Sequence, residues 1–431
     1  MSLARAKQRV FGTGVTCNVK TPDLRRASCF LTARNPGLHF KDRILWEVMA
    51  LKVCWPDYQN SIANLPNSIL KVFGTKTAGE SLPLLDRYLT EDYKNYVLLL
   101  LDGMGVNILK KNLSANGFFR SHYVGAYSSV FPPTTVAATT SVLTGQMPCT
   151  HAWLGWDCYY PQIGENITVY RNTFQDTEIP AADFMIAERF TPYESVVDRL
   201  KKDGHAAYFA TPFREPNPHT FEEILLRIEA LCRKPERKYI YAYWTEPDHT
   251  MHGTGISGRE SGELLQKLEE QVRELCEKLE DTLVIVTADH GHIDSRGTAV
   301  TEYPELMDDL VRMPSIEPRA LNLFVKEGRK AAFAERFRQL FGDTFLLLTK
   351  EEVLEKQLFG TGAEHACFRQ MLGDFLAVAV GDLSIYNSKE IAGRFIGVHA
   401  GLTEDELRIP LILCAQKRKA AGTWDLGGTG A

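Results

Sequence analysis

The segment Leu283-Val284-Ile285-Val286-Thr287-Ala288-Asp289-His290-Gly291-His292 is the most informative part of the sequence, because an unbroken apolar run passes directly into acidic and histidine side chains. Two other apolar runs end in the same way. Tyr239–Trp244 is followed by Asp248-His249-Thr250-Met251-His252, and Val97–Leu101 is followed by Asp102. In open α/β sheets, ligands bind at the carboxyl ends of the strands. These polar residues therefore form one candidate site.

The remaining apolar runs extend the same pattern along the chain. Most are continuous rather than alternating, which is typical of strands covered on both faces in a parallel sheet. Helical patterns separate many of them, as in residues 260–279, where leucines and a valine share one stripe. Strand–helix alternation predicts an α/β fold with a doubly wound, mostly parallel sheet and helices on both faces. The predicted strands are Tyr96–Leu101, Tyr123–Val130, Ala206–Ala210, Tyr239–Trp244, Thr282–Thr287, Ala320–Val325, Phe375–Val380 and Ile409–Cys414.

The pattern changes in the charge-rich stretch 295–387, which we interpret as an inserted smaller subdomain. The core would then comprise residues 55–294 and 388–415. Residues 1–54 are expected to be a poorly ordered extension and residues 416–431 a frayed tail. The first 34 residues hold seven basic side chains against one acidic, so an organellar transit peptide stays open as an alternative.

Composition excludes several classes of function. The chain has 431 residues, 44% of them hydrophobic, and a net charge of -5, so a nucleic-acid polymer is not an expected partner. No apolar run reaches the roughly 18 residues of a membrane helix, so no membrane partner is expected. The nine cysteines are dispersed and form no Cys-x-x-Cys pair, which favours reduced thiols and a cytoplasmic location.

The spacing of the acidic and histidine residues favours a metal site. Asp248 and His252 are four residues apart, so on a helix both could bind one ion, although Asp248 could instead cap the turn. Asp289 and His290 sit at a strand end, and Asp102 could alternatively cap the next helix. Mixed Asp and His ligation suits zinc or manganese better than calcium or magnesium. More than four such ligands suggests two metal ions.

A nucleophile candidate follows the strand that ends near Val130. Phe131-Pro132-Pro133-Thr134-Thr135 opens a helix over residues 136–144. Thr135 would lie at a helix N-terminus, where free N–H groups and the helix dipole favour a phosphate. The alternative is an ordinary N-cap threonine. Beside a two-metal site, we interpret Thr135 as the nucleophile.

Five motifs in fixed order together resemble the alkaline phosphatase superfamily, and within it the nucleotide pyrophosphatase/phosphodiesterase-like (type I phosphodiesterase) branch. The set spans about residues 95–414. The motifs are Asp102-Gly103-Met104-Gly105, Thr135 ten residues before Gly145, Glu246-Pro247-Asp248-x-x-x-His252-Gly253, Thr287-Ala288-Asp289-His290-Gly291, and His399-Ala400-Gly401-Leu402-Thr403.

This resemblance implies two divalent metal ions, for which we expect zinc, with manganese or iron as alternatives. The first ion would be bound by Asp248, His252 and His399. The second would be bound by Asp102, Thr135, Asp289 and His290. Thr135 would attack phosphorus to form a phosphothreonine, which water would then hydrolyse. The resemblance gives His292 no role, and we expect it to be structural or to support the ligands.

The resemblance implies a hydrolase for a small-molecule phosphodiester or pyrophosphate-type substrate. Related phosphodiesterases contact the phosphate with an Asn at the place where this chain has Trp156, which we expect to form a wall for the leaving group instead. Arg214 and Arg319 are further candidates for binding the substrate anion. Alternatives on the same site are a phosphonoacetate-hydrolase-like or a phosphomonoesterase activity. The alternative of another class is a non-catalytic metal- or phosphate-binding protein.

Overall fold

The computed structural model describes residues 53–417, and its strands form two larger sheets. The predicted extension over residues 1–54 and tail over residues 416–431 lie outside the described residues, apart from two positions each. The strands, numbered in chain order, are β1 (Asn95–Leu101), β2 (Tyr123–Ser128), β3 (Asp157–Tyr160), β4 (Glu165–Thr168), β5 (Thr173–Phe174), β6 (Ala206–Ala210), β7 (Lys238–Trp244), β8 (Thr282–Thr287), β9 (Ile293–Asp294), β10 (Arg296–Ala299), β11 (Ser315–Glu317), β12 (Ala320–Leu323), β13 (Phe345–Thr349), β14 (Phe375–Ala379), β15 (Leu383–Tyr386), β16 (Gly397–Val398) and β17 (Arg408–Gln416).

The central sheet has six strands in the order β2-β17-β8-β1-β7-β6. Strands β6, β7, β1 and β8 run parallel, and β17 runs antiparallel to both of its neighbours. The predicted α/β fold with a mostly parallel central sheet is confirmed. Every residue of β1 is buried, as are all six residues of β8, which is why their sequences are apolar without alternation.

The register of the central strands brings the candidate site together. Leu101 at the end of β1 pairs with Trp244 at the end of β7, and Leu100 pairs with Thr287 at the end of β8. The three strands therefore end at one level, and the polar residues that follow them emerge at one edge of the sheet. This is the carboxyl edge at which ligands bind in such sheets.

Helices connect and cover the strands. Residues 196–202 and 221–233 form helices that pack against β6 and β7, and the helix of residues 259–278 packs against β17. None of the helices within residues 53–417 is long and apolar enough to cross a bilayer. The α-helices are Leu65–Val72, Pro83–Asp86, Val106–Asn112, Phe118–Ser121, Thr135–Thr144, Pro148–His151, Ile186–Phe190, Val196–Lys202, Phe221–Arg233, Asp248–Thr254, Arg259–Lys278, Pro304–Met307, Lys330–Phe341, Lys350–Glu355, Phe368–Met371, Lys389–Ala392 and Glu404–Leu407.

The second sheet crosses the boundary that the sequence suggested for the inserted segment. Its order is β13-β14-β12-β11-β3-β4-β5, so residues 315–379 supply four strands and residues 157–174 supply three. The two parts join where Ile316 pairs with Asp157. The segment 295–387 thus shares its sheet with an earlier hairpin. Sequence patterning indicates which residues form a strand but does not identify a partner so distant in the chain.

The central position of β1 predicts a large cost for removing its side chains. Leu99 is fully buried, so Leu99→Ala should lower the free energy of unfolding by about 2–5 kcal/mol, measured by urea titration. Leu226→Ala is the matched control, because Leu226 is 64% exposed on a surface helix. It should change stability by no more than about 0.5 kcal/mol. Equal effects of the two substitutions would contradict this account of the core.

Candidate active site

Three carboxylates converge at the carboxyl edge of the central sheet. The backbone N–H of Asp102 donates to the carbonyl of Trp244, and the N–H of Asp248 donates to the carbonyl of Asp102, each at 3.0 Å. The N–H of Gly103 donates to Oδ1 of Asp289 at 3.0 Å. The ends of β1, β7 and β8 are thus linked directly by hydrogen bonds, and the predicted convergence of the three acidic residues is present.

A first cluster surrounds Asp248, which begins the helix of residues 248–254. Nε2 of His252 lies 3.3 Å from Asp248 Oδ2, and Nε2 of His399 lies 3.7 Å from Asp248 Oδ1. His292 also contacts this carboxylate, with Nε2 2.6 Å from Oδ1. One ligand atom from each of the four residues lies within 4.8 Å of the others, so the group could hold a metal ion.

A second cluster surrounds Asp102. Nε2 of His290 lies 3.2 Å from Asp102 Oδ1 and 3.7 Å from Asp289 Oδ2. Asp102, Asp248 and His290 also form a group whose ligand atoms lie within 4.8 Å of one another. Asp248 therefore belongs to both clusters, which makes the candidate site continuous.

Thr135 completes the second cluster. Its Oγ1 lies 3.4 Å from Asp102 Oδ2 and 3.4 Å from His290 Nε2. Thr135 is the first residue of the helix of residues 135–144, whose N-cap is the extended residue Thr134. Thr134 rather than Thr135 occupies the capping position, so the alternative of Thr135 as an N-cap does not fit the geometry.

The buried carboxylates of the site are short of positive charge to compensate them. Burial, reinforced by the neighbouring carboxylates, raises the pKa of Asp102 and Asp289 well above their usual range. Oδ1 of Asp102 and Oδ2 of Asp289 are buried without a hydrogen-bond partner among the described residues. Burial also opposes the ionisation of Asp248, but His252 and His292 hold its pKa well below the usual value. Unpaired buried carboxylate oxygens beside imidazoles form a donor set that a divalent metal ion would fit.

Two residues that the sequence did not point to support the site. Tyr243 donates its hydroxyl proton to Asp102 Oδ2. Glu317 accepts hydrogen bonds from Thr134 Oγ1 at 2.6 Å and from the N–H of Trp156 at 3.0 Å, and burial raises its pKa to about 7. Tyr243 lies in an aromatic strand whose pattern is typical of the hydrophobic core, and Glu317 lies in a charge-rich stretch. The sequence therefore did not mark either residue as part of a site.

A cavity of about 590 Å³ opens beside Thr135 and contacts Asp248, His252 and His399. Trp156, 39% exposed, lies on the wall of this cavity. The outer lining carries both charges and aromatic rings. It includes Arg171, Asp176, Glu178, Tyr386, Arg394 and Phe395.

The two predicted arginines occupy different environments. Arg214 is exposed on the loop before the helix of residues 221–233 and does not line the cavity beside Thr135. Arg319 is fully buried in a bidentate ion pair with Glu406, at 2.7 and 2.8 Å, and donates also to two backbone carbonyls. Arg319 does line the cavity beside Thr135, but four of the five N–H groups of its guanidinium donate to protein acceptors. Glu406 in turn accepts from the N–H of Gly401, two residues after His399.

One family model matches most of the chain, and solved structures share its fold. The model of the type I phosphodiesterase/nucleotide pyrophosphatase family matches residues 96–401. No curated protein matches the chain. Among solved structures, murine ectonucleotide pyrophosphatase/phosphodiesterase 5, as an inactive variant in complex with AMP, is similar with 18% identity and a TM-score of 0.59, over 76% of this chain and 88% of that chain. Phosphonoacetate hydrolase from Sinorhizobium meliloti 1021, in complex with phosphonoformate, is similar with 14% identity and a TM-score of 0.56, over 76% of this chain and 91% of that chain. At these identities the structural likeness shows the fold.

The backbone at Gly291 packs so closely against another segment that a side chain there should destabilise the protein. A Cβ at Gly291 would lie 2.0 Å from the carbonyl oxygen of Asp405, so Gly291→Ala must displace the Asp289–His292 turn. We expect a loss of about 1–3 kcal/mol, measured by urea unfolding.

Gly393→Ala is the control for this substitution, because a Cβ there meets no atom within 4 Å. The variant should unfold like the wild type. If Gly291→Ala and Gly393→Ala unfold at the same urea concentration, the close contact of Gly291 with the backbone of Asp405 is contradicted.

Proposed function

The chain belongs to the type I phosphodiesterase/nucleotide pyrophosphatase family of hydrolases, and on this premise we propose that it cleaves a small phosphodiester or pyrophosphate-type substrate with Thr135 as the nucleophile. The observation that carries the proposal is the position of Thr135 Oγ1. It lies 3.4 Å from both Asp102 and His290, at the N-terminus of a ten-residue helix and at the wall of a cavity.

Two divalent cations fit the donor atoms of the site. The first would be held by Asp248, His252 and His399, and the second by the residues around Thr135, namely Asp102, Asp289 and His290. We propose zinc, with manganese or iron as alternatives, because the donors mix imidazole with carboxylate. When bound, such a metal pair lowers the pKa of a hydroxyl group and neutralises charge on a phosphoryl group.

The chain's own residues then perform displacement at phosphorus. Thr135 Oγ1 attacks, the bond from phosphorus to the leaving oxygen breaks, and a phosphothreonine forms. Asp102 Oδ2 lies within 3.4 Å of the hydroxyl and is positioned to accept its proton. The N-terminal N–H groups of the helix that begins at Thr135 face the developing negative charge. The leaving oxygen takes up a proton from solvent. Water then attacks the same phosphorus and releases a proton to solvent, the bond between phosphorus and Thr135 Oγ1 breaks, and Asp102 returns its proton to Thr135.

Glu317 supports the start of this helix. Its carboxylate joins Thr134, directly before the nucleophile, to the backbone of Trp156 on the cavity wall. We propose that this link holds the nucleophile and the leaving-group wall in a fixed relation. The side chain of Trp156, packed against Tyr170, would then offer an apolar face to the leaving group.

A phosphonoacetate-hydrolase-like activity is the second candidate, because the fold resembles that enzyme almost as closely as it resembles the phosphodiesterase. Turnover of a panel of diesters, pyrophosphates, monoesters and phosphonates with added zinc separates the candidates. Hydrolysis of phosphonoacetate alone would favour the second. Bound metal without hydrolysis of any substrate would favour a non-catalytic binding protein.

Removal of the Thr135 hydroxyl tests the nucleophile. Thr135→Ala should lower kcat for bis-p-nitrophenyl phosphate by at least roughly 10³-fold, because no phosphothreonine can form. Its metal content, measured by elemental analysis, should stay at the wild-type value because six other ligands remain.

The control for the Thr135 experiment is Thr301→Ala, since Thr301 is exposed and lies outside the site. It should retain wild-type turnover. Full activity in Thr135→Ala would overturn the assignment of the nucleophile.

Removal of the Trp156 ring tests the leaving-group wall. Trp156→Ala should raise KM for aryl or nucleoside diesters by more than about tenfold, because the ring no longer contacts the leaving group. Steady-state kinetics should show a smaller change for methyl esters. Tyr88→Ala, an exposed aromatic outside the cavity lining, is the control. An unchanged KM in Trp156→Ala would contradict the proposal that the Trp156 ring contacts the leaving group.

A further inference from the structure

Four histidine rings meet in the candidate site, and three of them share one hydrogen-bonding pattern. Nδ1 of His252 faces the carbonyl of Gly397 at 2.8 Å, and Nδ1 of His290 faces the carbonyl of Gly291 at 3.1 Å. Nδ1 of His399 faces the carbonyl of Pro133 at 3.2 Å. A carbonyl oxygen can only accept, so each Nδ1 carries the proton. With a metal ion in the site, each Nε2 would be free to offer its lone pair to that ion, as metal-binding imidazoles do.

His292 has the opposite arrangement. Its Nε2 lies 2.6 Å from Oδ1 of Asp248, and its Nδ1 is buried without a partner among the described residues. A carboxylate accepts the hydrogen bond, so the proton is on Nε2 and Nδ1 is an unprotonated acceptor. If Nε2 instead bound a metal, the proton would move to Nδ1 and become a buried donor without an acceptor, which costs free energy.

We propose that His292 is a positioning residue, which donates a hydrogen bond to Oδ1 of Asp248 and thereby holds Oδ2 toward His252 for the first metal ion. This inference rests on the proposed two-metal function. Asp248 Oδ2 lies 3.3 Å from Nε2 of His252, whereas Oδ1, which His292 occupies, lies 3.7 Å from Nε2 of His399. The oxygen left free by His292 is therefore the one nearer to a predicted ligand. Partners of this kind fix the orientation of a ligating carboxylate.

The surroundings of His292 hold its ring in this orientation. A Cβ at Gly103 would lie 2.9 Å from Cδ2 and Nε2 of the ring, and a Cβ at Gly397 would lie 3.3 Å from Nδ1. Glycine at both positions thus allows the backbone to close over the fully buried ring. Asn107 fixes the backbone of the same residue by donating to its carbonyl at 2.7 Å.

The role of His292 determines how many protein ligands the first metal ion could have. If His292 were a ligand, the first ion would have four protein ligands, which is typical of a closed structural zinc site. With His292 acting through Asp248, three protein ligands would remain for the first ion and one position would be open. An open position is typical of catalytic zinc sites.

Two substitutions at the same position separate a positioning residue from a ligand. His292→Gln keeps an N–H donor near the place of Nε2, whereas His292→Leu removes the donor at similar volume. Zinc affinity of the full chain is measured by competition with a chelator of known affinity, with ion stoichiometry from elemental analysis. We expect two ions in wild type, and affinities within about threefold of wild type in His292→Gln. In His292→Leu the affinity of one ion should fall by about 10- to 100-fold.

Equal losses in His292→Gln and His292→Leu would identify His292 as a ligand and overturn the proposal. Wild-type affinity in His292→Leu would also overturn it, because no positioning role would remain. His219→Leu, at an exposed histidine outside the site, should leave both affinities unchanged. Failure of the wild type to bind two ions would instead count against the proposed function.

A spectroscopic measurement tests the inference even if His292→Leu does not fold. In zinc-loaded wild-type protein with ¹⁵N-labelled histidine, nitrogen–proton correlations report which ring nitrogen is protonated. We expect three site imidazoles with the proton on Nδ1, and one, the signal lost in His292→Gln, with the proton on Nε2. Four site imidazoles with the proton on Nδ1 would contradict the proposal.

Discussion

The burial of three carboxylates at one edge of the central sheet is the constraint on which the rest of the site depends. Asp102, Asp248 and Asp289 are brought into contact by the register of three neighbouring strands. Taking a charged group out of water is costly unless it is paired. Two of their oxygens have no partner among the described residues, so the geometry favours cations as the compensating groups.

The surrounding chain orients several of the candidate ligands. Tyr243 holds Asp102, and the backbone carbonyls of Gly397 and Pro133 set the protonation of His252 and His399. The buried pair of Arg319 and Glu406 holds the turn that follows His399. These contacts come from elements far apart in the sequence, so the site is a property of the whole fold. A substitution at any of them would act on metal binding without removing a ligand.

The sequence predicted the central sheet well because its strands carry their own signal. The apolar runs at β1, β7 and β8 have no alternation, and each one leads into an acidic residue at the strand end. The resemblance of the five ordered motifs to a known family identified the seven candidate metal-binding residues, and in the structure all seven lie close together. The partners of the strands were not predictable, because β3 and β11 are short and pair across a long stretch of chain.

The roles of the remaining polar residues also depended on three-dimensional contacts. From the sequence, Arg319 is a candidate for binding an anion. Its ion pair with Glu406 could not be predicted, because the two residues are far apart in the chain and meet only in the fold. The different roles that we propose for His290 and His292 rest on which ring nitrogen faces a backbone carbonyl. The spacing of the two residues in the sequence carries no such information.

Anomalous X-ray diffraction at the zinc absorption edge, on crystals of the full chain grown with zinc, tests the central claim most directly. We predict two peaks, one beside Asp248, His252 and His399 and one beside Asp102, Asp289, His290 and Thr135. A single peak, or none at this edge of the sheet, would contradict the claim that a pair of cations compensates the buried carboxylates.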